Sequence, residues 1–278
     1  MAKVKVVFYC CPKPFQKEFE MIQHNAIQSW KQLNVAHEIV LLGHDAGVAE
    51  YANKYNLSHI PDTEYGANSG TPIVSSLFKK MNRHFAKCAG RTNSHEGMYG
   101  CYINADIILN DDFSKTLTEF HTTFPNHPTA LMVGQRHNWD LPNKNYEVNL
   151  QKDLKKIKEI AKCQGVNGID YFVFEKNTFT DYIYDFALGK FYWDVWLLGN
   201  AWRRGLLTID LSKTVFAIHQ NSPWYQGGKV IHNSELLRSS SEGMRNVLFE
   251  NHAKNIKSGT RCESKLKRGG QIVFVSKL

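Results

Sequence analysis

Apolar residues follow two alternating periods along the first hundred residues. Continuous runs of β-branched and other apolar residues predict buried strands. Between them, apolar residues recur every three or four positions, which predicts helices packed on a sheet. Strands that alternate with helices in this way predict a parallel sheet covered by helices. The predicted strands are 4–9, 37–42, 59–60 and 98–103, and the predicted helices are 15–33, 46–55 and 72–87.

The second half of the chain is less regular, but it continues the mixture of strands and helices. No internal repeat or linker-like stretch divides it. The simplest architecture is one α/β domain over 1–232, with a Rossmann-like, mostly parallel sheet flanked by helices. A C-terminal helix and basic tail follow over 233–278. The predicted helices here are 112–123, 150–162, 178–187, 194–204 and 234–255, and the strands are 129–135, 171–174, 207–210 and 215–218.

Polar residues stand where predicted strands end. Ligands of parallel α/β sheets bind beyond the carboxyl ends of the strands, so 9–13 and 104–106 are expected at the same edge. Asp106 follows an apolar strand and precedes more apolar residues, and a carboxylate in such a place needs a cation, a metal or several donors. Oxygen ligands suit Mg²⁺ or Mn²⁺ bridging a diphosphate. The alternative is that Asp106 caps a helix or turn.

Two further residues could join Asp106 in a site. His219 ends an apolar strand and is followed by two amides; alone it is better explained as a structural histidine, but beside Asp106 it would supply a second metal ligand. Asp194 begins a predicted helix next to several aromatic residues. Rings beside a carboxylate suit a sugar site, where a base accepts a hydroxyl proton. The alternative is a carboxylate favoured by the helix dipole and rings packed in the core.

The segments 135–140 and 168–171 also place polar groups at strand boundaries. Each could contact a substrate, and a solvated loop explains each equally well. The chain lacks the phosphate-binding loop of nucleotide hydrolases, the glycine fingerprint of dinucleotide-binding proteins, the nucleophile elbow and the zinc-protease motif. Those classes of enzyme therefore lose most of their support.

Taken in order, these segments resemble the nucleotide-sugar glycosyltransferases of the GT-A fold, in particular proteins of bacterial and large-virus surface-glycan gene sets. The resemblance covers about residues 3–250 and rests on the combination of motifs rather than on any one of them. The matching segments are the opening strand and loop at 4–13, Thr71-Pro72, Asn104-Ala105-Asp106, 168–174, 191–197 and 217–221.

The resemblance implies transfer of a hexosyl or deoxyhexosyl group from a nucleotide-diphosphate sugar to a glycan hydroxyl, with Mn²⁺ or Mg²⁺ on the diphosphate. The family motif is Asp-x-Asp, and here Asn104 takes the first position, so only Asp106 carries over as a carboxylate ligand. Asn104 would instead contact ribose, sugar or metal through its carbonyl. His219 matches the metal-binding histidine of the family. Asp194 matches the catalytic base of inverting members.

The resemblance also bears on the donor contacts, whereas the substrate contacts follow from the polar segments 135–140 and 168–171 and from the aromatic residues beside Asp194. The loop after the first strand would hold the nucleobase. The expected donor-binding residues are Tyr9, Cys10, Lys13, Thr71, Asn104, Ala105 and Asp106. The expected substrate-binding residues are Arg136, Trp139, Asp170 and Trp193.

Two alternatives to this function remain open at the level of sequence. One is a retaining glycosyltransferase of the same fold. The other is a non-catalytic module that binds a sugar or nucleotide, and such a module has no need for Asp106, His219 and Asp194 to converge. A sugar-nucleotide pyrophosphorylase would carry a glycine-rich, arginine-containing loop after the first strand, which the segment 10–14 is not.

The positive charge of the chain is concentrated near its C-terminal end. The chain has 278 residues and a formal charge of +8, but residues 254–278 hold seven basic residues against one acidic residue. The rest is nearly neutral, which disfavours nucleic acid as a partner. The basic tail is expected to be solvated, or to hold the protein near an anionic membrane or glycan.

The ends of the chain and its cysteines bear on the compartment. The first residues lack a secretory signal, and no apolar stretch approaches the ~20 residues that cross a bilayer. A soluble, cytoplasmic protein is therefore expected. The six cysteines show no CxxC pair or regular spacing. They are expected to be free thiols, and their spacing gives no sign of a metal site.

Overall fold

Strands and helices alternate along the chain as the apolar periods predict. The computed structural model describes residues 4–16, 18–66, 70–90, 97–165, 168–179, 183–190 and 192–221. The strands are β1 Val4–Cys10, β2 Ala36–Leu42, β3 Ser58–Ile60, β4 Gly97–Ile103, β5 Ile107–Ile108, β6 Ala130–Asp140, β7 Lys162–Cys163, β8 Ile169–Phe174, β9 Leu207–Asp210 and β10 Ala217–Asn221. The helices are α1 Glu18–Lys31, α2 Val48–Tyr55, α3 Val74–Ala89, α4 Asp111–Thr123, α5 Leu150–Ile160 and α6 Trp193–Arg203.

One sheet connects these strands in the order β3-β2-β1-β4-β8-β6-β10-β5, and β7 and β9 also pair with β6. Strand β1 lies parallel between β2 and β4, and β6 lies parallel to β9 and β10. Strand β8 runs antiparallel between β4 and β6. Most of the described strands therefore run in one direction, and the predicted mixed α/β fold with a mostly parallel sheet is confirmed.

Side chains of β1 alternate between two hydrophobic layers, because successive residues of a strand point to opposite faces of a sheet. Val6 and Phe8 belong to the layer that contains residues of α1, α2 and α4. Val7 and Tyr9 belong to the opposite layer, with residues of α3 and α6. A strand buried on both faces needs a continuous apolar run, which is what the sequence of β1 shows.

The pairing of strand β6 is irregular at Gly134, and irregularities of this kind bend a strand. Its register with β8 shifts between Val133 and Gln135. A β-carbon at position 134 would lie 1.9 Å from the hydroxyl oxygen of Tyr171, so this close approach requires glycine. Beyond the bend, residues from Arg136 onward pair with β10. The residues of β6 before the bend are therefore buried in the core, and the polar residues of the strand follow it.

The predicted helix over 178–187 is wrong for the described part of that segment. The residues after 182 run without helical structure against the start of α3, where the N–H of Val74 donates to the carbonyl of Phe186 at 2.9 Å. Phe179, Ile183 and Phe186 are buried in the layer beside α3. These apolar residues have a helix-like spacing, but they are buried by packing against α3 and not by forming a helix of their own.

Two short strands were not predicted, and two predictions concern residues outside the described ranges. Strands β5 and β7 were not predicted, because two residues are too few to show a period. The predicted helix at 234–255 and the basic tail lie outside the described residues, and the division of the chain at 232 stays a prediction. In the described ranges, no helix combines the length and the apolar character that a membrane span requires.

Candidate functional site

The carboxyl ends of β4, β6 and β10 meet the amino end of antiparallel β8 at one edge of the sheet. This topology brings together Asn104 and Asp106 after β4, Arg136 in β6, Asp170 in β8 and His219 in β10. We call these five residues the polar edge. It forms because each strand ends its apolar run at this side of the core, as expected for ligand sites in α/β sheets.

Asp106 and His219 form the first pair of the polar edge. The Nε2 atom of His219 lies 3.4 Å from Oδ2 of Asp106. The Oδ1 atom of Asp106 is buried and has no hydrogen-bond partner among the described residues. Burial favours a higher pKa for this carboxyl, but the charges of His219, Lys13 and Arg136 outweigh it and lower the pKa to about 2. Asp106 is therefore ionised at neutral pH and has an oxygen available for a cation.

Gln220 fixes the loop that carries Asp106. Its Nε2 atom donates to the carbonyl oxygen of Asp106 at 3.2 Å, and its Oε1 atom accepts from Nδ2 of Asn25 at 3.0 Å. The side chain of Gln220 is buried, so these bonds are shielded from water. The capping role considered for Asp106 belongs to Asn110, whose side chain accepts from the N–H of Asp112 at the start of α4 at 3.0 Å.

Asn221 orients the ring of His219. The Nδ1 atom of His219 lies 3.0 Å from Oδ1 of Asn221, and Nδ2 of Asn221 donates to Oδ1 of Asp140 at 2.8 Å. An imidazole that donates through Nδ1 can give up the proton on Nε2, which faces Asp106, and then offers the lone pair of Nε2 to a cation. Sequence analysis missed this role of Asn221. The period of two along a strand, which puts residues 219 and 221 on one face, could have indicated it.

Asp170 holds two other members of the polar edge. Its Oδ1 accepts from Nδ2 of Asn104 at 2.7 Å, and its Oδ2 lies 2.9 Å from Nη1 of Arg136. Burial raises the pKa of Asp170 although Arg136 opposes the shift, and the charge of Asp106 adds to the rise. Because the amide nitrogen of Asn104 is turned to Asp170, the atom that Asn104 can offer a ligand is Oδ1.

Asp194 lies in the first turn of α6. Tyr192 precedes the helix with a left-handed φ of 80°. Burial raises the pKa of Asp194 to about 6, although the N–H of Val195 stabilises the charged form; the charge of Asp170 adds to the rise, and that of Arg136 opposes it. The charges of Asp170 and Arg136, two members of the polar edge, thus act on Asp194. A carboxylate with this pKa is mostly ionised at neutral pH and can still accept a proton.

Lys13, Ala105 and Thr71, which are also expected to bind the donor, lie in different surroundings. The backbone of Lys13 is fixed by Gln23, which accepts from its N–H at 2.6 Å and donates to its carbonyl at 3.0 Å. The side chain of Lys13 is exposed, and its charge reaches Asp106. Ala105 is buried between Asn104 and Asp106. Thr71 is half-buried before α3, where its carbonyl accepts from the N–H of Gly66 at 2.7 Å.

The structure places Tyr9 and Cys10 in the core. The hydroxyl of Tyr9 lies 3.0 Å from Nδ1 of His84 on α3, and Cys10 is fully buried in the opposite layer. These side chains point to the two faces of the sheet, because consecutive residues of a strand alternate.

The two tryptophans predicted to bind substrate also lie in the core. Trp193 is 5% exposed, and its ring packs against Tyr102 and Phe172. Trp139 is buried as well and packs against Tyr146. The core-packing alternative considered for the aromatic residues beside Asp194 therefore describes Trp193.

No protein-family model matches the chain, and no curated protein matches it. Among solved structures, it is similar to S. aureus TarS 1–349 in complex with UDP-GlcNAc, with 10% identity, a TM-score of 0.46 and coverage of 91% of this chain and 72% of that chain. It covers 43% of a longer TarS chain, at 14% identity and a TM-score of 0.45. It is also similar to glucosyl-3-phosphoglycerate synthase from Mycobacterium tuberculosis in complex with Mn²⁺, UDP-glucose and phosphoglyceric acid, with 12% identity, a TM-score of 0.46 and coverage of 100% of this chain and 88% of that chain.

Proposed function

We propose that this chain is an inverting glycosyltransferase that moves a sugar from a nucleotide-diphosphate sugar to a hydroxyl of a glycan acceptor. The observation that carries the proposal is the contrast between the carboxyl groups of Asp106 and Asp194. The pKa of Asp106 is lowered to about 2, whereas that of Asp194 is raised to about 6. Carboxyl groups whose pKa values are driven apart by their surroundings are suited to different roles, here a permanent charge and a base.

Asp106 and His219 would hold the divalent metal. This assignment is supported by Oδ1 of Asp106, which is buried and has no hydrogen-bond partner among the described residues, and by the contact of Nδ1 of His219 with Asn221, which leaves Nε2 for the metal. A carboxylate and an imidazole suit Mn²⁺, and Mg²⁺ would take the carboxylate. When bound, such an ion neutralises the charge that develops on a leaving diphosphate.

Asp194 would act as the base. The acceptor oxygen forms a bond to the anomeric carbon, the bond from that carbon to the diphosphate oxygen breaks, and the hydroxyl proton passes to the Asp194 carboxylate. The electron pair of the broken bond leaves with the nucleoside diphosphate. A positioned base of this kind contributes about 10²–10⁴-fold in rate. One base suffices for a single displacement, which inverts the anomeric carbon.

Asp170 would position the donor-binding groups rather than react. Its two oxygens hold Asn104 and Arg136, which leaves Oδ1 of Asn104 for a ligand, and the guanidinium charge of Arg136 acts on Asp106. An amide oxygen suits a ribose or sugar hydroxyl, and a guanidinium suits an anionic diphosphate. The raised pKa of Asp170 is consistent with a structural carboxyl that is shielded from solvent.

A donor panel tests the proposal. The purified chain is incubated with UDP-, GDP- and dTDP-sugars, with and without Mn²⁺, and released nucleotide is measured; UDP-glucose and UDP-GlcNAc are included. Metal-dependent release from one donor supports a transferase. Saturable nucleotide binding without any release would instead support a non-catalytic binding module. The anomeric configuration of the product, determined by NMR, separates inversion from retention.

Variants then test the assigned base. Asp194→Asn is expected to reduce turnover about 10²–10⁴-fold while nucleotide affinity changes little. Asp111→Asn is a matched control, because Asp111 also lies in the first turn of a helix but is exposed. Normal turnover by Asp194→Asn would place the base elsewhere.

The basic segment 254–278 is proposed to hold the enzyme near an anionic surface. At about 1 kcal/mol per basic residue, its charge could supply peripheral binding. Deleting residues 259–278 should then weaken binding to vesicles that contain phosphatidylserine, with donor hydrolysis unchanged. Absence of vesicle binding by the full chain would contradict this role.

A further inference from the structure

A second cluster of metal-binding residue types lies between α3 and the sheet, outside the polar edge. It consists of Glu38 on β2 and of His84 and Cys88 on α3, and each can offer one ligand atom within 4.8 Å of the others. The Sγ atom of Cys88 lies 3.7 Å from Oε2 of Glu38 and 3.7 Å from Nδ1 of His84. The Nε2 atom of His84 lies 3.6 Å from Oε1 of Glu38.

Local structure explains how these three residues meet. Residues four apart on a helix share a face, so His84 and Cys88 are neighbours on α3. Alternation along β2 turns Glu38 to the same side of the sheet as Val40 and Leu42, which are buried in the layer beside α3. A carboxylate next to an apolar layer needs polar or ionic partners, and His84 and Cys88 supply them.

Two further side chains form hydrogen bonds with members of the cluster. The hydroxyl of Tyr9 lies 3.0 Å from Nδ1 of His84, and Oγ of Ser58 donates to Oε1 of Glu38 at 2.5 Å. Histidine ligands of metals usually form a hydrogen bond through the second ring nitrogen, and carboxylate ligands are hydrogen-bonded as well. Tyr9 is buried, so this support for His84 is rigid. The arrangement leaves Nε2 as the ligating atom of His84.

We propose that Glu38, His84 and Cys88 bind one zinc ion through a carboxylate oxygen, Nε2 and Sγ, with water as the fourth ligand. Zinc bonds of about 2.0–2.3 Å in a tetrahedral site put ligand atoms roughly 3.3–3.8 Å apart. Oε1 of Glu38 lies 3.6 Å from Nε2 of His84, and Oε2 of Glu38 lies 3.7 Å from Sγ of Cys88, so either carboxylate oxygen is at such a separation from one other ligand atom. A thiolate with an imidazole selects zinc over Mg²⁺ or Mn²⁺. On binding, the thiol proton of Cys88 passes to solvent.

The position of the cluster gives this ion a structural role. Its ligands come from the sheet and from the last two turns of α3, so the ion would fasten the helix to β2. The side chains of His84 and Glu38 are 24% and 38% exposed, which leaves a path from solvent. The cluster contains no residue of the polar edge, so zinc binding here does not depend on whether the chain transfers sugars.

Cobalt substitution tests the site in the full chain. Metal-free protein is titrated with Co²⁺, and absorption is recorded. We expect that one Co²⁺ per chain produces a thiolate-to-cobalt charge-transfer band and the strong visible bands of a tetrahedral site. Both sets of bands should disappear when Zn²⁺ displaces this cobalt. Cobalt held by Asp106 and His219 has no sulfur ligand, so it cannot produce the charge-transfer band. Absence of that band in the unmodified chain would overturn the proposal.

Matched variants locate the ligands. Cys88→Ser should abolish the charge-transfer band, whereas Cys163→Ser, at an exposed cysteine on β7, should retain it. Tyr9→Phe should weaken zinc binding about 10–100-fold, as expected for loss of a supporting hydrogen bond. A band that persists in Cys88→Ser contradicts the assignment.

Folding controls accompany these variants. Circular dichroism in the presence of a chelator establishes that each variant is folded. If Cys88→Ser does not fold, Glu38→Gln provides the test, because an amide keeps the shape of the carboxylate and can still accept from Ser58. We expect this variant to bind zinc at least about 10-fold more weakly. Unchanged zinc affinity would count against the site. In the unmodified chain zinc should also raise Tm, since it binds the folded state.

Discussion

Asn104 donates a hydrogen bond of 2.7 Å from Nδ2 to Oδ1 of Asp170. The backbone N–H of Asn104 also donates to the carbonyl of Asp170, at 3.0 Å. The residue at the first position of the Asp-x-Asp-like motif is therefore bound to a buried carboxyl group. A second carboxylate at position 104 would face Asp170 directly, which gives a physical reason for the amide in this chain.

Asn104→Asp tests this relationship. Two carboxyl groups at hydrogen-bond distance cannot both ionise without cost, so they would share a proton. We expect the variant to lose about 1–3 kcal/mol of unfolding free energy near pH 8, and less near pH 5, where the shared proton is bound. Urea unfolding at the two pH values measures the difference. Asn145→Asp, at an exposed asparagine, is the control; equal losses at both pH values would contradict the expectation.

The pKa of Asp194 predicts the pH dependence of transfer. A base must be deprotonated, and burial raises the pKa of this carboxyl to about 6. We expect kcat/KM to rise roughly tenfold per pH unit below pH 6 and to level off above it. Initial rates at saturating Mn²⁺ over a pH series measure the profile. A flat profile across pH 6 would mean that another group accepts the proton.

The same pKa makes Asp194 a cost to stability above pH 6. The folded state holds the proton up to about pH 6, whereas the unfolded chain releases it near 3.8. Stability contributed by the protonated form is therefore lost as pH rises between these values. Since each pKa unit is 1.36 kcal/mol, the cost reaches about 3 kcal/mol.

Replacement of the Asp194 carboxyl by an amide should remove that cost. Asp194→Asn is expected to be more stable than the unmodified chain near pH 8, by up to about 3 kcal/mol, and nearly equal to it below pH 4. Urea unfolding at both pH values tests this. A variant that is inactive yet more stable would identify Asp194 as a functional residue retained at the expense of stability. A loss of stability near pH 8 would refute the expected cost.

Asn221 is predicted to control metal affinity without binding the metal. It orients His219 through the contact of 3.0 Å to Nδ1. Asn221→Ala should weaken Mn²⁺ binding about 10–100-fold, the range for loss of a hydrogen-bond partner of a histidine ligand. Isothermal titration calorimetry measures the affinity, with Asn145→Ala as control. Unchanged affinity would show that His219 is oriented by other contacts or does not bind the metal.

Tyr171 offers a test of packing at the bend in β6. Its hydroxyl is buried without a hydrogen-bond partner among the described residues, and it occupies the space that a side chain at Gly134 would need. Tyr171→Phe should therefore be neutral or stabilising, by up to about 1 kcal/mol. Gly134→Ala should cost at least about 1–3 kcal/mol, and Tyr171→Phe should recover part of that loss. Thermal unfolding of the four proteins provides the double-mutant cycle; strictly additive effects would contradict the direct contact.

The candidate site could be predicted in part because some of its residues end apolar runs. Strand order predicted that 104–106 lie at the ligand-binding edge, the family resemblance added His219 as a partner of Asp106, and the structure pairs the two residues at 3.4 Å. Trp193 was assigned to a ligand because it adjoins Asp194. Adjacent residues in the first turn of a helix point about 100° apart, and in the structure the ring of Trp193 packs in the core.

The sequence by itself determined the alternation of strands and helices, the mostly parallel sheet and the edge at which polar residues collect. These follow from local periods of burial, which a chain expresses residue by residue. Tertiary structure decided that Asp170 binds Asn104 and Arg136, that Asn221 orients His219, and that Glu38 meets His84 and Cys88. Such contacts depend on the register of strands, on the bend at Gly134 and on the rotation of α3 about its axis. Those quantities are set by packing between distant segments, and no local pattern encodes them.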